Sequence, residues 1–237
     1  MKGTNLNYIG SLNKAALPDL DEKKNLIDLT KKSLSDERKI VAIDQEYSYA
    51  STSWLPIKSH YLVFNILVTI EYILKIQKTI FRLGHSPCID EFTRKLQTKE
   101  MEFSEPLLNQ VFDQKILSYV VKAGSNLSGK IAPSQMYKMA IRKIAKYKLD
   151  EWKKRNRIDL RKPAHKKLCE SYLQDFSVSI FDFLYYMRIR SNYRDFAFIN
   201  GVSTANTAEY FTVFFNFTVH IVHALERLKR SLVNMRS

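Results

Sequence analysis

Apolar residues recur at three- and four-residue spacings along most of the chain, and the segments that carry this pattern predict helices. The first runs from Asp19 to about Ile43, with Asp21 and Glu22 favouring its N-terminal dipole, and its polar character predicts an appended arm rather than core. Periodicity is lost from Gln45 to Pro56, and Pro56 disfavours helix at the residue before it, so a linker or turn is expected there. From about Lys58 to Leu83 the sequence is apolar on nearly all sides. This predicts a central buried helix, stopped by Gly84 in the left-handed conformation. Ser86 then has the character of an N-cap, with Pro87 at the first helical position and Asp90 and Glu91 in the first turn of a helix reaching about Leu96.

Residues Glu105 to Val121 read as a further helix, and Gly124, Ser125, Ser128 and Gly129 mark a loop at 123–133. Ser134 is expected to cap an amphipathic helix. Met136, Met139 or Ala140, Ile144 and Tyr147 would face inward, with Lys138, Arg142, Lys143, Lys146 and Lys148 outside. After Arg161 and Pro163, the positions Leu168, Leu173, Phe176, Ile180, Phe183, Leu184 and Met187 trace one long helix toward Asn200 and Gly201. A final helix begins near Thr207 and ends on Arg227, Lys229 and Arg230, cations that suit a helix C-terminus. The expected fold is an all-α bundle of about six or seven helices. Residues 1–56 form a polar N-terminal arm and linker, and 57–237 the helical domain.

Composition agrees with this pattern. Six glycines and six prolines in 237 residues leave few places for sharp turns, and 45% apolar residues suffice for a packed core. The most apolar run, Tyr61 to Leu74, contains Asn65 and Glu71 and is shorter than the ~20 residues a membrane span needs, so no membrane partner is expected. Cys88 and Cys169 belong to no CxxC or Cys/His spacing, and residues 1–20 lack the apolar stretch of a secretory signal; a cytoplasmic location is the expectation. There is no Gly-rich phosphate loop, GxSxG elbow or HExxH. P-loop and zinc-dependent hydrolysis are therefore disfavoured, and neither a cofactor nor a metal is expected.

Charge changes the picture most. Between Lys138 and Lys167 stand thirteen Lys/Arg against three acids, ten of the net fourteen positive charges. A cationic run at helical spacing, interleaved with Tyr137, Tyr147 and Trp152, can neutralise phosphates and offer rings to unpaired bases. Lys138, Arg142, Lys143, Lys146, Lys153, Lys154, Arg155 and Arg157 are the candidate nucleic-acid contacts. The alternatives are a solvated face whose aromatics pack inward, or a surface for an acidic protein.

A second feature lies near the end of the long predicted helix. Tyr185, Arg188, Asn192 and Asp195 share one face, while Arg190 and Arg194 share another. Guanidinium groups can hold a phosphate, the amide can orient an oxygen, and the carboxylate can fix an arginine or act as a base. A purely structural network joining Arg188 to Asp195, or one involving Arg194, is the other reading.

The apolar helix from His60 through Glu71 to Leu74, the late segment Arg190-Ser-Asn-Tyr-Arg-Asp195 and the C-terminal helix together resemble HEPN helical domains, over about residues 58–235. The resemblance implies an RNA-acting protein of a toxin or antiviral defence system, and a metal-independent endoribonuclease acting as a homodimer. Its arginine would be Arg190, followed by Ser191 or Asn192 as the polar residue. Where the family's histidine would fall, this chain has Asp195, Phe196 and Ala197. Either Asp195 or a histidine from elsewhere completes a site with Arg188, Arg190, Asn192 and Arg194, or the chain is a non-catalytic, basic nucleic-acid-binding subunit of a larger nucleoprotein complex. RNA is the expected partner ahead of DNA.

The remaining candidates are single residues. His220 and His223, three apart on the last helix, could supply the imidazole or two metal ligands. Glu71, within an apolar helix, must be paired, solvated at an end or protonated; a buried salt bridge with an arginine such as Arg188 or Arg190 is the structural reading, and an active-site carboxylate the functional one. His85 reads as a loop residue.

Overall fold

The computed structural model describes residues 17–74, 84–113, 133–193 and 207–234. Among these described residues seven helices make an all-α bundle: α1 (Leu17–Val41), α2 (Gln45–Ile73), α3 (His85–Gln97), α4 (Pro133–Arg155), α5 (Pro163–Gln174), α6 (Ile180–Tyr193) and α7 (Thr207–Asn234). A 3-10 turn at Pro106–Asn109 and a two-stranded antiparallel ribbon, β1 (Phe112–Asp113) on β2 (Ser177–Val178), complete it, with Phe112 opposite Val178. No helix among the described residues is long and apolar enough to cross a membrane.

Helix α2 is the spine, packed against α1, α6 and α7. It begins at Asp44, whose side chain accepts from Tyr47 N at 2.9 Å, and it runs straight through Pro56. The linker expected at 45–56 is therefore helix, and the division at residue 56 falls inside α2. The residues that broke the apolar rhythm are small hydroxyls buried at helix contacts. Ser48 Oγ donates to Thr207 Oγ1 at 3.0 Å, and Ser59 Oγ accepts from Thr218 Oγ1 at 3.0 Å. Small bonded side chains let α2 and α7 approach closely, so burial here carries no apolar signature.

The expected arm is α1, and it lies on the core. Ile27, Leu34 and Val41 recur every seven residues and are buried, with Lys23 and Glu37 on the same stripe. Those two charges disguised the stripe, and both are bonded across the interface. Lys23 Nζ donates to Asn65 Oδ1 at 2.9 Å, while Glu37 accepts from Ser51 Oγ and from Lys58 Nζ.

Other boundaries also moved. Gly84 is the N-cap of α3 with φ −70°, so it does not take the left-handed conformation, and the cap precedes Ser86; residues 75–83, where the preceding helix was expected to end, lie outside the described residues. The helix expected at 105–121 is, among the described residues, the 3-10 turn and strand β1. The long helix expected from 168 onward is broken between α5 and α6. Ser179 N donates to Asp182 Oδ2 at 2.8 Å and Phe181 N to Ser179 Oγ at 3.3 Å, a reciprocal cap that restarts the helix. Ile141, Ile144, Ala145, Phe176 and Val178 form a small second core that seats α4 beside α6.

Candidate functional site

Helix α4 buries Ile141, Ile144 and Ala145, while Lys143 and Lys146 are exposed, as are Lys154, Arg155 and Arg157 toward and beyond its end; the side chains of Met136, Met139 and Ala140 lie outside the described residues. Arg142 and Lys153 are partly buried, and the side chain of Lys138 lies outside the described residues. Lys148, expected on the outer face, turns inward. Its Nζ lies 2.8 Å from Asp90 and 2.9 Å from Asp182, and it donates to Ser177 O at 2.9 Å. Burial works against this ammonium, but the Asp182 and Asp90 carboxylates outweigh it and hold its pKa above the ordinary lysine value. The lysine is thereby spent on clamping α4 to α3 and α6. Two of the interleaved aromatics are packed as well, and the side chain of Tyr137 lies outside the described residues. Trp152 stacks on Tyr172 at 4.0 Å, and Tyr147 meets Tyr186 edge-on at 5.3 Å.

Arg188 and Arg190 of α6 lie on different sides of the helix and meet different neighbours. Arg190 sits over Tyr186 and, together with Lys143, Lys146, Tyr147 and Asp150, borders a cleft of about 380 Å³. Two segments that carried separate signals thus face one space. Arg188 points the other way: its Nη2 donates to Tyr61 Oη at 2.9 Å, and its guanidinium lies 5.0 Å from the Tyr61 ring centre and 5.8 Å from that of Tyr185. The Asn192 side chain, Arg194 and Asp195 lie outside the described residues. So do the expected bonds of Arg188 to Asp195 or Arg194. Glu71 pairs with Lys95 of α3 at 3.2 Å rather than with an arginine, because α3 crosses α2 at that level.

Two histidines complete the Arg188 cluster. His60 Nε2 of α2 and His85 Nδ1 of α3 are 2.9 Å apart, one donating to the other. Phe64 and Tyr185 flank both rings. Burial, then the neighbouring His85 and Arg188, pushes His60 down to about 2; burial and Arg188 push His85 down to about 4. Both imidazoles are therefore neutral at pH 7, beside a permanent cation. Neither was a sequence candidate for catalysis. The available signal was a lone polar ring, His60, inside an otherwise apolar helix.

His85 also borders a second cleft, of about 320 Å³, with Ser86 from the start of α3, Tyr147, Glu151 and Arg155 from α4, and Tyr185 from α6. Arg155 Nη2 donates to Ser86 Oγ at 3.1 Å. Tyr147 is a wall common to both clefts. His220 and His223 lie on the exposed side of α7, and among the described residues no group of three or more His, Cys, Asp or Glu is placed to hold a metal. Cys88 and Cys169 are buried free thiols, and burial raises Cys88 well above the reactive range. No family model, curated protein or solved structure matches the chain, so the family resemblance rests on the sequence residues that carry it.

Proposed function

We propose that this chain is a cytoplasmic RNA-binding protein that holds a single strand along the seam between α4 and α6. The supporting observation is that Lys143, Lys146 and Arg190 border one cleft with Tyr147 and Tyr186. Cations around such a cleft neutralise successive phosphates, and the tyrosines offer ring faces or edges to unpaired bases. Arg155 and Lys154 continue the positive field toward the end of α4. Retention of labelled single-stranded RNA by the wild type and by a Lys143→Glu, Lys146→Glu double variant tests this. The variant should bind at least about tenfold more weakly, with a salt dependence shallower by roughly two. Unchanged retention and slope would sink the reading.

Metal-independent RNA cleavage is the second reading, favoured by the neutral His60–His85 pair beside Arg188. A neutral imidazole at His85 would take the proton of an RNA 2′-hydroxyl. The oxygen would attack the adjacent phosphorus, the 5′-oxygen would depart with a proton, and a 2′,3′-cyclic phosphate would remain. Arg188 would offset the charge developing on the phosphoryl oxygens. Here a histidine from α3 stands in for the one missing after Arg190, and the homodimer implied by the resemblance belongs to this reading. Incubation of labelled RNA with EDTA decides between the two. Cleavage by the wild type that is lost in His85→Asn supports the enzyme, whereas retention without cleavage leaves a binding subunit of a nucleoprotein complex.

A further inference from the structure

Building on the RNA reading, we propose that the cleft between α3, α4 and α6 is a nucleobase pocket selective for guanine. Its volume, about 320 Å³, lies at the small end of the ~300–1,000 Å³ typical of ligand sites, which suits one nucleoside. Tyr147 and Tyr185 supply ring walls, and Pro87 and Ile89 supply apolar ones. The charges inside are not equivalent. Lys148 and Asp182 engage each other at 2.9 Å and have little left for a ligand. Glu151 lines the same cleft, and among the described residues no hydrogen bond or ion pair engages its carboxylate.

An ionised carboxylate only accepts. Guanine presents N1–H and its N2 amine as adjacent donors on one edge, matching the two carboxylate oxygens. Adenine and cytosine present one amine on that edge, and uracil presents a single N–H between two carbonyls that a carboxylate repels. Arg155 donates one bond to Ser86, and its other N–H groups suit a nucleotide phosphate. Because Tyr147 borders both clefts, a strand whose phosphates follow Lys143, Lys146 and Arg190 brings one base within reach of the pocket. A free guanine nucleotide carries the same recognition edge.

The test titrates the full-length wild type and Glu151→Gln with 5′-GMP and 5′-UMP by calorimetry, alongside retention of single-stranded RNA with and without one guanine. The wild type should bind GMP about tenfold or more tighter than UMP, and Glu151→Gln should bring the two within about threefold. Arg155→Ala should weaken both nucleotides alike. Equal binding by the wild type, or a preference that survives in Glu151→Gln, overturns the pocket. RNA retained through Lys143 and Lys146 without guanine preference removes the pocket and leaves the RNA reading intact. A Glu151-dependent GMP preference without RNA retention supports the pocket as a free-nucleotide site and removes the RNA reading.

Discussion

Replacing Lys95 by methionine tests the buried ion pair that ties α2 to α3. Lys95 Nζ lies 3.2 Å from Glu71 Oε1, with the two side chains 1% and 0% exposed, and Glu91 is a further carboxylate at 3.6 Å. Burial pushes the Glu71 carboxyl up to about 7, and Lys95 is the main influence pulling it back. Without the ammonium, the carboxyl keeps its proton to higher pH. Near pH 5 the variant therefore buries a neutral acid, at a cost of roughly 1–3 kcal/mol. Near pH 9 the group is driven to ionise unpaired, and the loss grows toward ~3–5 kcal/mol. Glu71→Gln gives the complementary measurement. A carboxylate whose folded pKa is raised contributes stability that is complete below its unfolded value of about 4.5 and is lost as pH rises through about 7. A change of that size corresponds to roughly 3 kcal/mol. Glutamine does not titrate, so the stability difference between wild type and Glu71→Gln should shift by about that amount between pH 4.5 and 8. Urea denaturation followed by circular dichroism at pH 5, 7 and 9 measures both effects. A Lys95→Met loss that is small and independent of pH, together with a Glu71→Gln profile parallel to wild type, would refute the argument.

The histidine pair gives the opposite sign. Its folded pKa values lie below the unfolded value of 6.5, so its contribution is complete above pH 6.5 and is lost as pH falls toward 4; His60→Gln should flatten the acid limb of a Tm-against-pH curve. If the chain cleaves RNA through His85, the rate should stay level from pH 6 to 8 and fall only near pH 4, whereas a limb near 6.5 would point to another base. Lys148→Met leaves the buried Asp182 without its counter-ion at the α3–α4–α6 junction, while the half-exposed Asp90 stays solvated, and should cost about 3 kcal/mol in chemical denaturation. Lys99 follows α3 at φ 58° and is exposed, so Lys99→Gly should raise stability by about 1 kcal/mol in the same assay.

The sequence by itself determined the helical class, the crowding of positive charge into α4 and the start of α7 at Thr207, because these depend on residue type and on spacings of four residues or fewer. The helical period also placed Arg188 and Arg190 on different faces. What each arginine meets was decided only by tertiary packing. His60 and His85 are 25 positions apart and Tyr61 and Arg188 are 127 apart, yet they share one cluster. Periodicity likewise called Lys148 an outer residue, while the neighbouring helices supplied two aspartates that drew it inward. It also read the hydroxyl-rich start of α2 as a linker, because a buried serine bonded across an interface looks locally the same as an exposed one. Hydrogen bonds and ion pairs between distant elements have no local period, so they became visible only once the helices were packed.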